Sequence, residues 1–132
     1  MRIYPPKKIY VDNSPIHGLG VFASKDIKKD EVIEVCPILD LGLQKGATSG
    51  ILLNYRFNWP SGTVEWEKQV AGLGYASFYN HSNNPNASWR SLYNDNVFEF
   101  FATRDIKSGE EILVYYGGDE YWNDGRNYIE IK

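Results

Sequence analysis

The sequence is poor in the residues from which metal and disulfide sites are built. It contains a single cysteine, Cys36, and two histidines in 132 residues. One cysteine cannot form a disulfide within the chain, and together with two histidines it lacks the spacing of a zinc cluster. We therefore expect no metal. Because Cys36 lies inside the apolar run from Val32 to Leu39, we expect a buried structural thiol and not a nucleophile.

Strong charge and long hydrophobic runs are also lacking. The formal net charge is -3, which argues against binding to a phosphate backbone and suits a basic partner better. No segment is apolar for long enough to span a membrane, and residues 1–8 lack the apolar stretch of a secretion signal. These absences predict an intracellular protein that binds neither nucleic acid directly nor a membrane.

Helix signals are scarce, with one short helical turn predicted from Gly50 to Tyr55, and strand patterns dominate. A hairpin is predicted over residues 57–66, where Pro60 and Ser61 separate two strand-like runs. The other predicted strands are Lys8–Val11, Gly20–Ala23, Glu31–Val35, Asn96–Ala102 and Glu111–Tyr116. The length suits one domain, so a single, mainly β domain over residues 1–132 is expected.

One strand-turn-strand pattern occurs twice. Phe22–Ile33 and Phe101–Ile112 share Phe, Ala, Asp, Ile, Lys, Glu and Ile at one constant offset. Each copy predicts two strands around a charged turn, with Ile27 or Ile106 turned inward. The pattern indicates either a pair of similar β-units in one domain or turn chemistry that arose twice.

Gly18 and Gly20 precede a predicted strand, and with Ala23 they match the dinucleotide pattern G-x-G-x-x-A. That pattern must open a helix, so that a pyrophosphate meets the helix N-terminus. Here the segment continues as a strand, which argues against dinucleotide binding. Two interpretations are left: a glycine-rich turn, or backbone that approaches a ligand closely.

The polar run Asn80-His81-Ser82 follows an aromatic segment. A hydrolase triad fits poorly, because neighbouring residues of an extended chain point to opposite sides and no G-x-S-x-G elbow is present. A loop capped by its own side chains is the plain alternative. The residues alone leave both a structural and a functional role open.

Three segments together, Gly18–Ala23, Gly72–Asn86 and Glu111–Gly117, resemble the signature motifs of the SET-domain protein lysine methyltransferases. The resemblance implies a fold of several small curved sheets with little helix and a knot-like threading of the C-terminal segment. It also implies S-adenosyl-L-methionine as cofactor and S-adenosylhomocysteine as product. The cofactor contacts it implies are Gly18, Leu19, Gly20, Tyr79, Asn80 and His81.

The same resemblance places the reaction at the end of the last strand. Tyr116 matches the catalytic tyrosine, and the residues implied to line the substrate lysine channel are Tyr55, Val114, Tyr115 and Trp122. Val114 stands where relatives often carry Phe or Tyr, and its smaller side chain predicts room for multiple methylation. An aromatic such as Phe98 filling this space from elsewhere is the alternative.

The resemblance covers residues 9–122 and is closest to small stand-alone members, including viral histone methyltransferases. A cysteine-rich zinc segment after the core is absent. The implied partner is a basic protein, first of all a histone, and some stand-alone relatives form homodimers. A nuclear, chromatin-associated enzyme is expected in a eukaryote or its virus, and a cytoplasmic one otherwise. A non-histone substrate and a non-catalytic binding module are the alternatives.

Overall fold

The computed structural model describes residues 1–43, 56–61 and 67–117, and for residues 42 and 43 it describes the backbone alone. The described residues form a mainly β structure with little helix, as predicted. The strands are β1 Ile9–Asn13, β2 Leu19–Ala23, β3 Val32–Leu43, β4 Arg56–Trp59, β5 Lys68–Gly72, β6 Asn80–His81, β7 Ala87–Leu92, β8 Val97–Ala102 and β9 Glu111–Val114. Two 3₁₀ helices, η1 Ala76–Phe78 and η2 Tyr93–Asp95, complete the described elements.

These strands form two sheets. The four-stranded sheet has the order β1-β2-β9-β6, and the five-stranded sheet has the order β4-β5-β3-β8-β7. All neighbours are antiparallel except β6 and β9, which run parallel with Asn80 opposite Leu113 and His81 opposite Val114. This parallel pair brings the Asn-His motif alongside the strand that leads to Tyr116.

The core lies between the sheets and follows the alternation of the strands. In β8, Val97, Phe98, Phe100 and Ala102 are each at most 2% exposed. The ring of Phe98 in β8 lies 5.4 Å from the ring of Trp59 in β4, measured between centroids. Strands on both sides of β3 in the sheet order therefore contribute to one aromatic cluster. Burial of a Val or Phe side chain in this cluster stabilises the fold by roughly 1.5–3 kcal/mol.

The predicted strands are found, with differences at their ends and in their number. The prediction for β3 stopped at Val35, whereas the strand continues through Pro37 to Leu43. Strands β5, β6 and β7 were not predicted. β4 pairs with β5, while the predicted second arm of the hairpin, Thr63–Trp66, and the predicted helical turn lie outside the described residues.

The two copies of the repeated pattern pack against each other. The backbone N–H of Ile27 donates to the carbonyl of Ile106 at 2.8 Å, and the N–H of Ile106 donates back to Ile27 at 2.8 Å. Both isoleucines are 1% exposed. The repeat is therefore a pair of similar β-units that meet at equivalent residues, which is the first of the two interpretations.

The side chains of the charged turns also make reciprocal hydrogen bonds between the two units. Asp105 accepts a hydrogen bond from the backbone N–H of Lys29 at 2.8 Å, and Asp26 accepts one from Ser108 at 2.9 Å. Each aspartate thus caps the turn of the other unit. One unit connects β2 to β3 and the other connects β8 to β9, and β2 and β9 are neighbours in the sheet that carries the candidate site.

Candidate functional site

Three segments that are distant in sequence meet in the four-stranded sheet. β9 lies between β2 and β6, with Phe22 opposite Glu111 on one side and Asn80 opposite Leu113 on the other. The glycine segment, the Asn-His motif and the tyrosine end therefore occupy neighbouring strands, as the motifs predicted.

The Asn80 side chain joins the first two of these segments. It is 7% exposed, and its amide nitrogen lies 3.1 Å from the carbonyls of both His17 and Leu19. The same nitrogen lies 2.9 Å from a carboxylate oxygen of Glu111. The side-chain amide has two hydrogens for three acceptors, so it is fully used in holding the glycine segment against β9.

Glu111 is the acceptor on which this arrangement centres. Its two carboxylate oxygens both lie 2.9 Å from the Ser14 hydroxyl. Gly20 packs directly on the carboxylate, because a Cβ at that position would lie 2.3 Å from Oε2. A larger residue at this position would therefore have to displace the Glu111 carboxylate. From the sequence, Glu111 was expected only as part of a motif, and Ser14 was not expected, although its position in the turn cluster before the glycines was the available signal.

His81 connects the Asn-His motif to the tyrosine end. Its Nδ1 accepts a hydrogen bond from the backbone N–H of Tyr116 at 2.9 Å, so Nδ1 carries no proton. Nε2 then holds the proton and donates to Asn83 at 3.0 Å. Burial lowers the pKa of His81, and the bond to Asn83 opposes this effect in part. The ring is thus a neutral support for Tyr116, in agreement with a non-acid-base role.

Tyr116 is partly buried and held at two points. Its backbone N–H binds His81, and its hydroxyl donates to the backbone carbonyl of Tyr79. The ring lies 5.3 Å from the His81 ring. The hydroxyl is therefore fixed beside the residue that precedes the Asn-His motif, although the catalytic role of Tyr116 stays a prediction.

Tyr79 accepts the Tyr116 hydroxyl with its backbone carbonyl. Its ring is 1% exposed and stacks on Phe100 at 4.3 Å, and its hydroxyl donates to Glu34 at 2.7 Å. Burial raises the pKa of Tyr79 well above its ordinary value, and the Glu34 carboxylate adds to this effect. Any contact between Tyr79 and a cofactor would therefore be made by backbone atoms, and the predicted contact stays untested.

Glu34 is a buried acid that the sequence analysis missed. It is 4% exposed and accepts a second hydrogen bond from the backbone N–H of Tyr75 at 2.9 Å. Burial raises the pKa of the carboxyl, while its bonds to Tyr75, Tyr79 and the Cys36 thiol lower it. An acidic residue at an inward position of an apolar strand was the signal for this role.

Cys36 beside it is 0% exposed, which confirms the predicted buried thiol. Burial and the neighbouring Glu34 raise the pKa of Cys36 far above the ordinary range of a thiol. The thiol therefore stays protonated and is a poor nucleophile.

The other predicted site residues differ in their surroundings. Leu19 is 45% exposed, and the preceding Gly18 has a positive φ of 48° with open space beside its Cα. Tyr115 is 47% exposed with its ring 5.2 Å from His81. The Val114 side chain is 2% exposed and belongs to the hydrophobic core. Tyr55 and Trp122, predicted for the lysine channel, lie outside the described residues.

Among the described residues, no group of three or more His, Cys, Asp or Glu side chains could bind a metal ion. None of the described helices is long and apolar enough to cross a membrane.

Known proteins resemble this chain over most of its length. The SET domain family matches residues 18–117. A fission yeast protein (Schizosaccharomyces pombe), a histone-lysine N-methyltransferase specific for H3 lysine-37, is 32% identical over 108 residues, which are 80% of this chain and 69% of the relative.

Solved structures give the same result. A candidate histone methyltransferase of Plasmodium falciparum superposes with a TM-score of 0.69 at 33% identity, covering 86% of this chain and 96% of that chain. The Neurospora SET domain protein DIM-5, a histone lysine methyltransferase, superposes with a TM-score of 0.62 at 19% identity, covering 84% of this chain and 52% of that chain. At that identity the second match bears on the fold alone.

Proposed function

The chain belongs to the SET-domain family of protein-lysine methyltransferases, and from this premise we propose that it uses S-adenosylmethionine to methylate lysine side chains of histone H3. The observation that carries the proposal is the convergence of three motifs. Asn80 holds the glycine segment, and His81 and the Tyr79 carbonyl hold Tyr116. A structural loop would not require these three segments to meet.

The residues around this junction suit the cofactor. The exposed residues Gly18 and Leu19 offer a surface on which the chain can approach an adenosine and an amino-acid end closely. Asn80 and His81 would bind chiefly through their backbones, because their side-chain nitrogens are already hydrogen-bonded within the protein. S-adenosylmethionine would supply a methyl group on a positively charged sulfur.

A neutral His81 matters for this chemistry. A protonated imidazole beside a sulfonium would place two positive charges together, which is unfavourable at short range. Burial lowers the pKa of His81, so the ring stays neutral at physiological pH and keeps its bond to Tyr116. His81 therefore orients the tyrosine without repelling the cofactor.

The substrate amine must also be neutral, because only its free electron pair attacks the methyl carbon. A free lysine has a pKa near 10.4, so about one in two thousand is neutral at pH 7. An apolar channel beside a sulfonium lowers that pKa. The tyrosine faces at Tyr55 and Tyr115 are proposed to form this channel, since they exclude water and still tolerate the cationic product.

Tyr116 is proposed to align the reacting atoms. In-line displacement depends chiefly on alignment of nitrogen, methyl and sulfur, and a fixed hydroxyl lowers the barrier by supplying a dipole at the point of transfer. The two anchors of Tyr116 fix this hydroxyl before substrate binds. The Val114 side chain, smaller than Phe or Tyr, is proposed to permit more than one methyl group, which mass spectrometry of the product would detect.

The test is a transfer assay with labelled S-adenosylmethionine and nucleosomes, free histone H3 and unrelated basic proteins as substrates. We expect label on histone H3 and a loss of at least about 10²-fold in Tyr116→Phe. Tyr93→Phe is the matched control, because it also removes one hydroxyl but from η2, which links β7 to β8 in the five-stranded sheet. Full activity of Tyr116→Phe would refute the catalytic assignment, and label only on other proteins would refute the histone substrate.

Substrate, location and assembly follow from this proposal. Histone H3 comes first because the fission yeast relative is named for it, and a histone substrate would place the enzyme at chromatin. A net charge of -3 favours a basic tail over a DNA contact. A homodimer stays a prediction that light scattering of the purified protein would test.

A further inference from the structure

Tyr79 links the hydrophobic core, which surrounds its side chain, to Tyr116, which binds its backbone carbonyl. Its side chain is enclosed, with the ring on Phe100 and the hydroxyl on Glu34 at 2.7 Å. Its carbonyl, a few bonds away, accepts the hydroxyl of Tyr116. Because a peptide carbonyl turns only when its own backbone turns, anything that fixes the Tyr79 side chain and backbone also fixes the acceptor of Tyr116.

We propose that Glu34 is a positioning residue for Tyr116 that acts through Tyr79. Glu34 touches neither of the groups proposed to react. It binds the Tyr79 hydroxyl and the Tyr75 backbone N–H, which lie on either side of η1. The acid thereby holds both ends of the short helix that leads into the Asn-His motif. This inference rests on the methyl-transfer function proposed above.

The surroundings of Glu34 support a specific role. A carboxyl that is 4% exposed in an apolar strand is costly to bury unless donors surround it. Here the donors come from Tyr75, Tyr79 and Cys36. Gly74 leaves room for the group, because a Cβ at that position would lie 2.5 Å from Oε2. A fully bonded buried polar network of this kind selects one arrangement of the atoms it joins.

The geometric link is tested without enzyme activity. Tyrosine labelled with ¹³C at Cζ reports on the hydrogen bond of each tyrosine hydroxyl, and the signal of Tyr116 is assigned from its loss in Tyr116→Phe. We expect this signal to move in Glu34→Gln and in Tyr79→Phe. It should stay in place in Glu99→Gln, the control, which removes an acid that pairs with Arg90 on the surface of the five-stranded sheet. An unmoved Tyr116 signal in both folded variants would overturn the proposal.

The catalytic consequence is tested by kinetics. Glu34→Gln and Tyr79→Phe should each lower kcat by about 3- to 30-fold with KM for the peptide nearly unchanged, because misplaced reacting groups slow the step more than they weaken binding. In the Tyr116→Phe background, measured by single turnover with excess enzyme, the same changes should cost nothing further. An equal loss in that background would show an effect that bypasses Tyr116 and would overturn the proposal.

The two readouts separate this inference from the proposed function. Absence of methyl transfer in every protein, together with a moved Tyr116 signal, would refute the methyltransferase proposal and support the geometric link. Normal methyl transfer with an unmoved Tyr116 signal would support the methyltransferase proposal and refute the geometric link. Tyr79→Phe keeps the ring and its stacking on Phe100, so it preserves the test should Glu34→Gln fail to fold.

Discussion

At the scale of single residues, Gly20 ties the packing of the site to its hydrogen bonds. A Cβ at this position would lie 2.3 Å from Oε2 of Glu111. A free carboxylate could move aside at little cost, but this one is held by Ser14 and Asn80. Gly20→Ala should therefore break those bonds, at about 1.5–3 kcal/mol for each charged hydrogen bond lost.

We expect Gly20→Ala to lower the melting temperature and weaken cofactor binding in calorimetry. Gly109→Ala is the matched control, because Gly109 has a φ of 91° with open space around its Cα, so that only backbone strain of about 1–3 kcal/mol is added. Cofactor binding of Gly20→Ala that equals that of Gly109→Ala would contradict the expectation.

His81 yields a pH-dependent prediction. A base whose pKa is lowered by folding binds fewer protons in the folded than in the unfolded state. The free energy of unfolding should therefore fall as pH drops below the ordinary value of 6.5. In His17→Gln, His81 is the one remaining histidine, so an NMR titration of its ring signals should return a pKa below 6.5. A measured value above it would contradict the neutral, accepting role of Nδ1.

Some of the site residues could be predicted from the sequence and others could not. The glycines, Asn80, His81 and Tyr116 stand in local motifs, and those motifs correctly predicted that they meet. Local signals mark Glu34 and Ser14 as unusual, but their partners lie far along the chain, so no local pattern identifies those partners. Tyr79 was expected at the cofactor by its place in the motif, but the direction of its ring depends on Glu34 and Phe100, which only the fold brings near.

At the scale of elements, the two repeated β-units lock together through equivalent bonds. Besides the capping aspartates, the carbonyl of Ala102 accepts the N–H of Asp30 at 2.8 Å, and that of Ala23 accepts the N–H of Gly109 at 2.7 Å. Both donors have a positive φ, 71° for Asp30 and 91° for Gly109. The repeat in the sequence thus predicted the form of each unit. Their mutual packing is a non-local property that emerges only in the fold.

This symmetry predicts equal costs for equivalent changes. Asp26→Ala and Asp105→Ala each remove a side-chain acceptor from a backbone N–H of the opposite unit. Each should lower the free energy of unfolding by about 0.5–2 kcal/mol, the range for lost backbone caps, as measured by urea denaturation. Asp95→Ala, an exposed aspartate of η2, controls for the change in charge and should cost less than about 0.5 kcal/mol. A large cost at one position and none at the other would refute the equivalence.

The shortness of β6 explains why this strand was not predicted. β6 is two residues long and parallel to β9, so it has no alternation to recognise and no turn that fixes its partner. Its existence depends on β9 already lying beside β2. Both residues of β6 are polar, so hydrophobic periodicity predicts a loop at this point. Their polarity is instead a sign of a site.

At the scale of the whole molecule, the family match begins at residue 18, whereas the four-stranded sheet begins at Ile9. All five residues of β1 pair with β2, the strand that carries the glycine segment. Ile9 is 8% exposed, and Tyr10 stacks on Phe22 at 5.6 Å. We therefore propose that the functional domain starts with β1, in line with the predicted core of residues 9–122.

Two truncations test this boundary. Removal of residues 1–7 takes away mostly exposed side chains and keeps Lys8, whose ammonium pairs with Glu31 at 2.7 Å and whose carbonyl accepts Ser24. Removal of residues 1–13 deletes β1, with the buried Ile9 alone contributing roughly 1.5–3 kcal/mol, and leaves β2 as an unpaired edge. We expect the shorter truncation to melt within a few degrees of the intact protein and to bind S-adenosylmethionine. We expect the longer truncation to melt at a clearly lower temperature and to lose cofactor binding. Cofactor binding by the longer truncation would show that β1 is dispensable, because the glycine segment would then keep its geometry on β9 and Asn80 alone.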